Sequence, residues 1–122
     1  MKGLRIVYWV EAIYLTVLGI MFMFLPSVAE SVFQTELSDP IITPLFGQTL
    51  ITLAITCYLI AINVEKFAKL TWALIFENAG HVVVFVYVLV AGIAGFATVG
   101  PPMIMSLILM VLFFAYYRKT AS

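Results

Sequence analysis

LTWALIFENAGHVVVFVYVLVA, residues Leu70 to Ala91, decides how this chain is built. A bilayer's hydrocarbon core is about 30 Å thick and takes roughly 20 apolar residues to cross as a helix. This stretch meets both conditions, yet it carries Glu77, Asn78 and the chain's only histidine, His81. Acidic and imidazole groups inside a membrane segment are costly unless they face a bundle interior or a subunit interface. The stretch therefore predicts a membrane helix with one face turned toward protein.

The rest of the chain agrees with that reading. Of its 122 residues 65% are hydrophobic and only 10% charged, against about 25% charged in soluble domains, and the mean hydropathy is +1.18. Three further segments are long and apolar enough to span: about Ile6 to Leu25, Pro44 to Asn63 and Pro101 to Tyr117. They are separated by breakers at Pro26, Ser38 to Pro40, Thr43 to Pro44, Glu65 to Lys69 and Gly92 to Pro102. The expectation is an all-α, integral membrane four-helix bundle forming one transmembrane domain over residues 1–122. A basic start, an apolar run and SVAES after Pro26 also fit a signal peptide. The run is longer than an h-region of about 7 to 15 residues and contains Glu11, so the first segment reads as a retained span.

With four alternating spans, Lys2, Arg5, Lys66, Lys69, Arg118 and Lys119 fall on one side and Glu30, Glu36 and Asp39 on the other. The excess of basic residues marks the cytoplasmic side, which places both termini there. Tyr8, Trp9, Trp72, Tyr116 and Tyr117 cluster toward the same side, as an interfacial belt does. In the first external loop, Ser27 and Glu30 have capping-box spacing, and Val28, Ala29, Val32 and Phe33 share a helical face. A short interfacial helix is expected there. In the second external loop Ala91 and Gly95 form a small-xxx-small pair that could bring helices together.

The functional reading rests on polar groups at matched depth. At 1.5 Å per residue, Glu11 lies ~9 Å beyond Arg5 and Glu77 ~11 Å beyond Leu70, in spans that run the same way. His81 follows Glu77 by one helical turn and can share a proton with it. Counted back from Asn63, Thr56 and Thr52 lie at ~11 and ~17 Å, and Gln48, Thr52 and Thr56 form a stripe expected to seek partners inside the protein. Asn78 and Ser106 are further candidates, so the predicted intramembrane polar cluster is Glu11, Glu77, His81, Thr52, Thr56, Asn78 and Ser106.

No catalytic nucleophile motif, phosphate-binding glycine pattern or basic patch is present, and a nucleic-acid partner is excluded on charge. Glu77-xxx-His81 lacks the second histidine of a zinc-binding HExxH helix, and one histidine with no attachment motif does not make a haem site. No metal or cofactor is expected. Cys57, inside the second span, reads as a small buried hydrophobe.

An arginine before the first span (Arg5), a proline closing it (LGIMFMFLP), an acidic-proline turn before the second (LSDPIITPLFGQTL) and a short basic loop (VEKFAKL) resemble the pattern of small four-helix bacterial inner-membrane proteins. The resemblance implies a fold class and a location in the inner (plasma) membrane. It assigns no function and no role to Glu77 or His81. The residues themselves, too few for a bundle with much interior of its own, point first to a small non-enzymatic membrane protein working as a homo-oligomer or as an accessory subunit beside other membrane subunits. The alternatives are a proton-coupled carrier or hydrophobic-ligand binder using the Glu/His cluster, and a membrane-embedded enzyme acting on a lipid or quinone.

Overall fold

The computed structural model describes residues 2–34 and 40–121, with side chains up to Lys119. Glu36, Ser38 and Asp39, on which part of the first-loop reading rests, lie outside the described residues. Among the described residues there are helices and no strands. They are α1 (Lys2–Phe24), α2 (Pro26–Phe33), α3 (Ile42–Ile62), α4 (Val64–Phe67) with a 3₁₀ turn at Ala68–Leu70, α5 (Thr71–Val90) and α6 (Phe96–Ala121). Four helical stretches, Lys2–Phe24, Ile42–Ile62, Val64–Val90 and Phe96–Lys119, are long and apolar enough to cross a membrane. This is a multi-pass membrane protein whose apolar helices face a lipid bilayer.

The spans match the expected segments closely at α3 and α5 and run longer at α1 and α6. The largest difference is at α6, which begins five residues before Pro101 and continues through Pro101 and Pro102. The two prolines lie in the second turn and withdraw donors only from the carbonyls of Ala97 and Thr98. Their fixed φ is helical, but beyond the first turn each ring also crowds the carbonyl four residues back, a cost that α6 bears without ending there. At the other side of that loop α5 ends in a Schellman turn: Gly92 N–H bonds to the Leu89 carbonyl at 3.2 Å and Ile93 N–H to Val88 at 3.0 Å. The turn demands a left-handed residue at its C′ position, which Gly92 supplies with φ 73°. Ala91 and Gly95 consequently sit in the connection, exposed, with no atom facing Gly95. The small-residue pair makes no helix contact.

Two antiparallel hairpins build the molecule, α1 on α3 and α5 on α6, and they meet along α1 and α6. The first hairpin is the tighter. A Cβ on Gly47 would lie 2.6 Å from the Met23 amide nitrogen and 2.7 Å from the Gly19 carbonyl, so the two backbones touch where Gly19 and Gly47 cross. Such close approach is how helices gain packing energy in lipid, where no hydrophobic effect drives them together. Ala12, Ala54, Cys57 and Ala61 continue the small-residue seam, fully or nearly buried. Cys57 is a free, buried cysteine.

All six basic residues gather at one end, where the aromatic side chains differ from a simple belt. Trp9 and Trp72 face outward, but Tyr8 is fully buried. Its ring packs edge-on against Phe113 at 4.8 Å and its hydroxyl bonds Thr71 Oγ1 at 2.8 Å. That bond pins the start of α5 to α1.

At the opposite end α2 forms as expected, but without a capping box. Its N-cap is Leu25, with no side-chain bond, and Pro26 occupies the first turn, a position where a missing N–H costs nothing. Ala29 is buried and Phe33 stacks on Phe22 at 5.7 Å, whereas Val28 and Val32 point outward. The four apolar residues are thus divided between two faces.

Candidate functional site

The site forms because α5 is held at its base and nowhere else on the first hairpin. Thr71, Leu74 and Asn78 are its buried residues. Beyond Asn78 no residue of α5 is buried, and the helix makes no extended contact with α1 or α3. A wedge-shaped cavity of about 330 Å³ opens there. Its floor is polar: Glu11 from α1, Glu77, Asn78 and His81 from α5, and Ser106 from α6. Its walls are apolar, with Leu15, Leu18 and Leu50 on one side and Val84 and Phe85 on the other. At the far end Phe22, Phe33 and Phe46 close it, Phe22 meeting Phe46 edge-on at 5.2 Å.

Glu11 is fully buried, and neither of its carboxyl oxygens has a hydrogen-bond partner. The polar groups that face it are Glu77 and Asn78. Asn78 is itself 2% exposed and donates from Nδ2 to its own helix, at the Leu74 carbonyl, 2.9 Å away. Glu77 Oε1 stands 3.6 Å from His81 Nδ1, an ion-pair distance too long for a hydrogen bond, while Glu77 Oε2 is buried without a partner. Three buried carboxyl oxygens therefore converge on the cavity floor without a well-formed hydrogen bond, with the second amide hydrogen of Asn78 and any proton the two carboxyls share as the donors within the protein. A buried acceptor without a donor costs about 1 to 3 kcal/mol, and more when charged.

Of the seven residues proposed from sequence, the structure brings together Glu11, Glu77, Asn78, His81 and Ser106 and separates Thr52 and Thr56 from them. Gly47, Leu50, Ala54 and Cys57 form the buried face of α3, and Gln48, Thr52 and Thr56 lie on the opposite, exposed face. The reasoning that polar groups must turn inward fails for threonine because its hydroxyl can bond backward along its own helix. Thr52 Oγ1 donates to Gln48 O at 3.1 Å and Thr56 Oγ1 to Thr52 O at 3.0 Å. Gln48 Nε2 reaches Thr52 Oγ1 at 3.1 Å.

Sequence reading overlooked Tyr14 and the aromatic far end, which are as much a part of the cavity as the acids. It also overlooked Thr98, whose hydroxyl donates to the Gln34 carbonyl at 3.3 Å and ties the end of α2 to α6 beside the cavity. Among the described residues no three histidine, cysteine, aspartate or glutamate groups are arranged to hold a metal ion. Neither a protein-family model, nor a curated protein, nor a solved structure matches the chain.

Proposed function

We propose that this membrane protein binds a hydrophobic small molecule in the wedge between its two hairpins, with Glu11 and Glu77 recognising the polar end of the ligand. The observation that carries this reading is the Glu11 carboxyl, fully buried at the cavity with both oxygens unpartnered. A lipid acyl chain fills apolar walls but brings no donor to that floor. Interhelical glue, the structural role such residues often take, works through well-formed bonds to another helix, whereas Glu11 faces Asn78 and Glu77 across the α1–α5 gap without a well-formed hydrogen bond to either. The cavity's size falls in the ordinary range for small-molecule pockets, about 300 to 1,000 Å³. The test is native mass spectrometry of the protein extracted with its lipids. The expected result is one non-phospholipid adduct per chain, lost in Glu11→Leu. Phospholipid adducts alone, the same in both proteins, would overturn the reading.

A second reading, self-association, is one form of the leading expectation from sequence, a homo-oligomer or accessory subunit, and draws its support from the exposed Gln48, Thr52 and Thr56 stripe of α3. An amide in lipid is left with unmet donors and acceptors, and glutamine carries both kinds. Two copies related by a two-fold axis along this face satisfy each other. Interhelical bonds of this kind are worth about 0.6 kcal/mol on average and about 1.7 at most. Gln48→Leu should accordingly weaken the monomer–dimer equilibrium about three- to twentyfold, read by energy transfer between labelled copies in vesicles. An unchanged equilibrium rules out this face.

The chain is proposed to form one transmembrane domain in an inner (plasma) membrane, with the basic end and both termini cytoplasmic and α2 at the outer interface. On a Cys57→Ala background, an impermeant thiol reagent added outside should modify a cysteine at Val28 and spare one at Lys66. The reverse pattern inverts the topology.

A further inference from the structure

We infer that the ligand of the wedge carries a primary ammonium group, and that Glu11 and Glu77 receive it through the three oxygens that have no donor of their own. The inference rests on the ligand-binding reading and adds the chemistry of the head group.

The count of donors and acceptors leads there. Glu11 Oε1, Glu11 Oε2 and Glu77 Oε2 are buried and unpartnered, and Glu77 Oε1 is turned to His81. No lysine or arginine can reach them, because all six lie at the ends of the spans, at positions 2, 5, 66, 69, 118 and 119. Asn78 has one amide hydrogen committed to its own helix and at most one to spare. A hydroxyl or a neutral amide head offers one or two hydrogens, whereas an alkylammonium offers three, with a charge that suits carboxyl acceptors.

The rest of the cavity fits the other end of such a molecule. Leu15, Leu18, Val84 and Phe85 line the path from the acids to the aromatic far end, so an alkyl or arylalkyl body lies in apolar surroundings along its length. Tyr14 and Phe85 also line the cavity, and aromatic rings in a lining attract a cation more than a neutral head of the same size. An anionic head is disfavoured by the same two carboxyls.

The experiment compares octylamine with octanol, which share a tail and differ in the head, by equilibrium dialysis against the protein in nanodiscs of zwitterionic lipid, with empty nanodiscs subtracted. Octylamine is expected to bind saturably and about tenfold or more tightly than octanol, since hydrogen bonds to a charged group exceed neutral ones by about that margin. Glu11→Gln keeps the side chain's size but removes one of the two carboxyls, and it should cut the ratio of octylamine to octanol affinity severalfold, with Glu11→Gln/Glu77→Gln bringing it near one. Equal binding of the two probes, or a preference undiminished in Glu11→Gln and in Glu11→Gln/Glu77→Gln, overturns the ammonium assignment and leaves the hydrophobic-ligand reading standing. Absence of saturable binding by either probe overturns both.

Discussion

Gly47→Leu is expected to abolish the α1–α3 hairpin, and Gly47→Ala to weaken it by about 1 to 3 kcal/mol, the ordinary range for an overpacked site. The first atom added at Gly47 meets backbone, at 2.6 Å from the Met23 nitrogen and 2.7 Å from the Gly19 carbonyl oxygen. A crowded side chain can rotate away, but these atoms belong to the helix itself, so relief comes only by parting the two helices. Their separation would also move Glu11, which α1 carries one face away from the crossing. Gly80 is the control. It lies within α5 and a Cβ there meets nothing within 4 Å, so Gly80→Ala should be neutral or stabilising by up to about 1 kcal/mol through helix propensity alone. Unfolding in mixed micelles at increasing sodium dodecyl sulfate measures both. Parent-like unfolding of Gly47→Ala would show that the crossing is not tight in the membrane.

That crossing was within reach of the sequence and passed unread. Counted as the acids were counted, Gly19 lies ~21 Å beyond Arg5 and Gly47 ~24 Å before Asn63, a depth match between antiparallel spans. The same arithmetic paired Glu11 with Glu77, because helical rise fixes depth wherever the span boundary is roughly known. Depth says nothing about azimuth, and that is where Thr52 and Thr56 were misplaced: they match the acids in height and face the other way. The buried face of α3 includes the small residues Gly47, Ala54, Cys57 and Ala61, while the more hydrophobic Ile55, Leu59 and Ile62 are exposed, so hydropathy does not mark the face. The four spans were legible from length and composition, since lipid imposes both. The wedge was not, because it arises from a contact α5 fails to make after Asn78, and an unmade contact leaves no mark in the periodicity of Val82 to Val90.

Glu11→Leu should raise stability, by about 1 to 3 kcal/mol, while eliminating the ligand. The parent bears the cost of two buried carboxyl oxygens without donors. Leucine fills much the same volume with no such cost, and replacing buried ionisable groups by apolar ones of similar size is often neutral or stabilising. Apolar neighbours stand ready on its own helix, with Leu15 one turn along α1 and Tyr14 also lining the cavity. Glu77→Leu should gain less, because Glu77 is 20% exposed at its side chain, has only one unpartnered oxygen, and leaves His81 without its neighbour at 3.6 Å. The pair of variants separates scaffold from site. A carboxyl that holds helices together makes its leucine variant unfold earlier than the parent, and Glu11→Leu doing so in the same detergent titration would assign the cluster to architecture. A carboxyl held in place for a ligand is a strained feature that the fold tolerates at its own expense, as binding sites commonly are. Its removal then gives a protein that is harder to unfold and has lost its bound molecule, and the two changes should appear together in one variant.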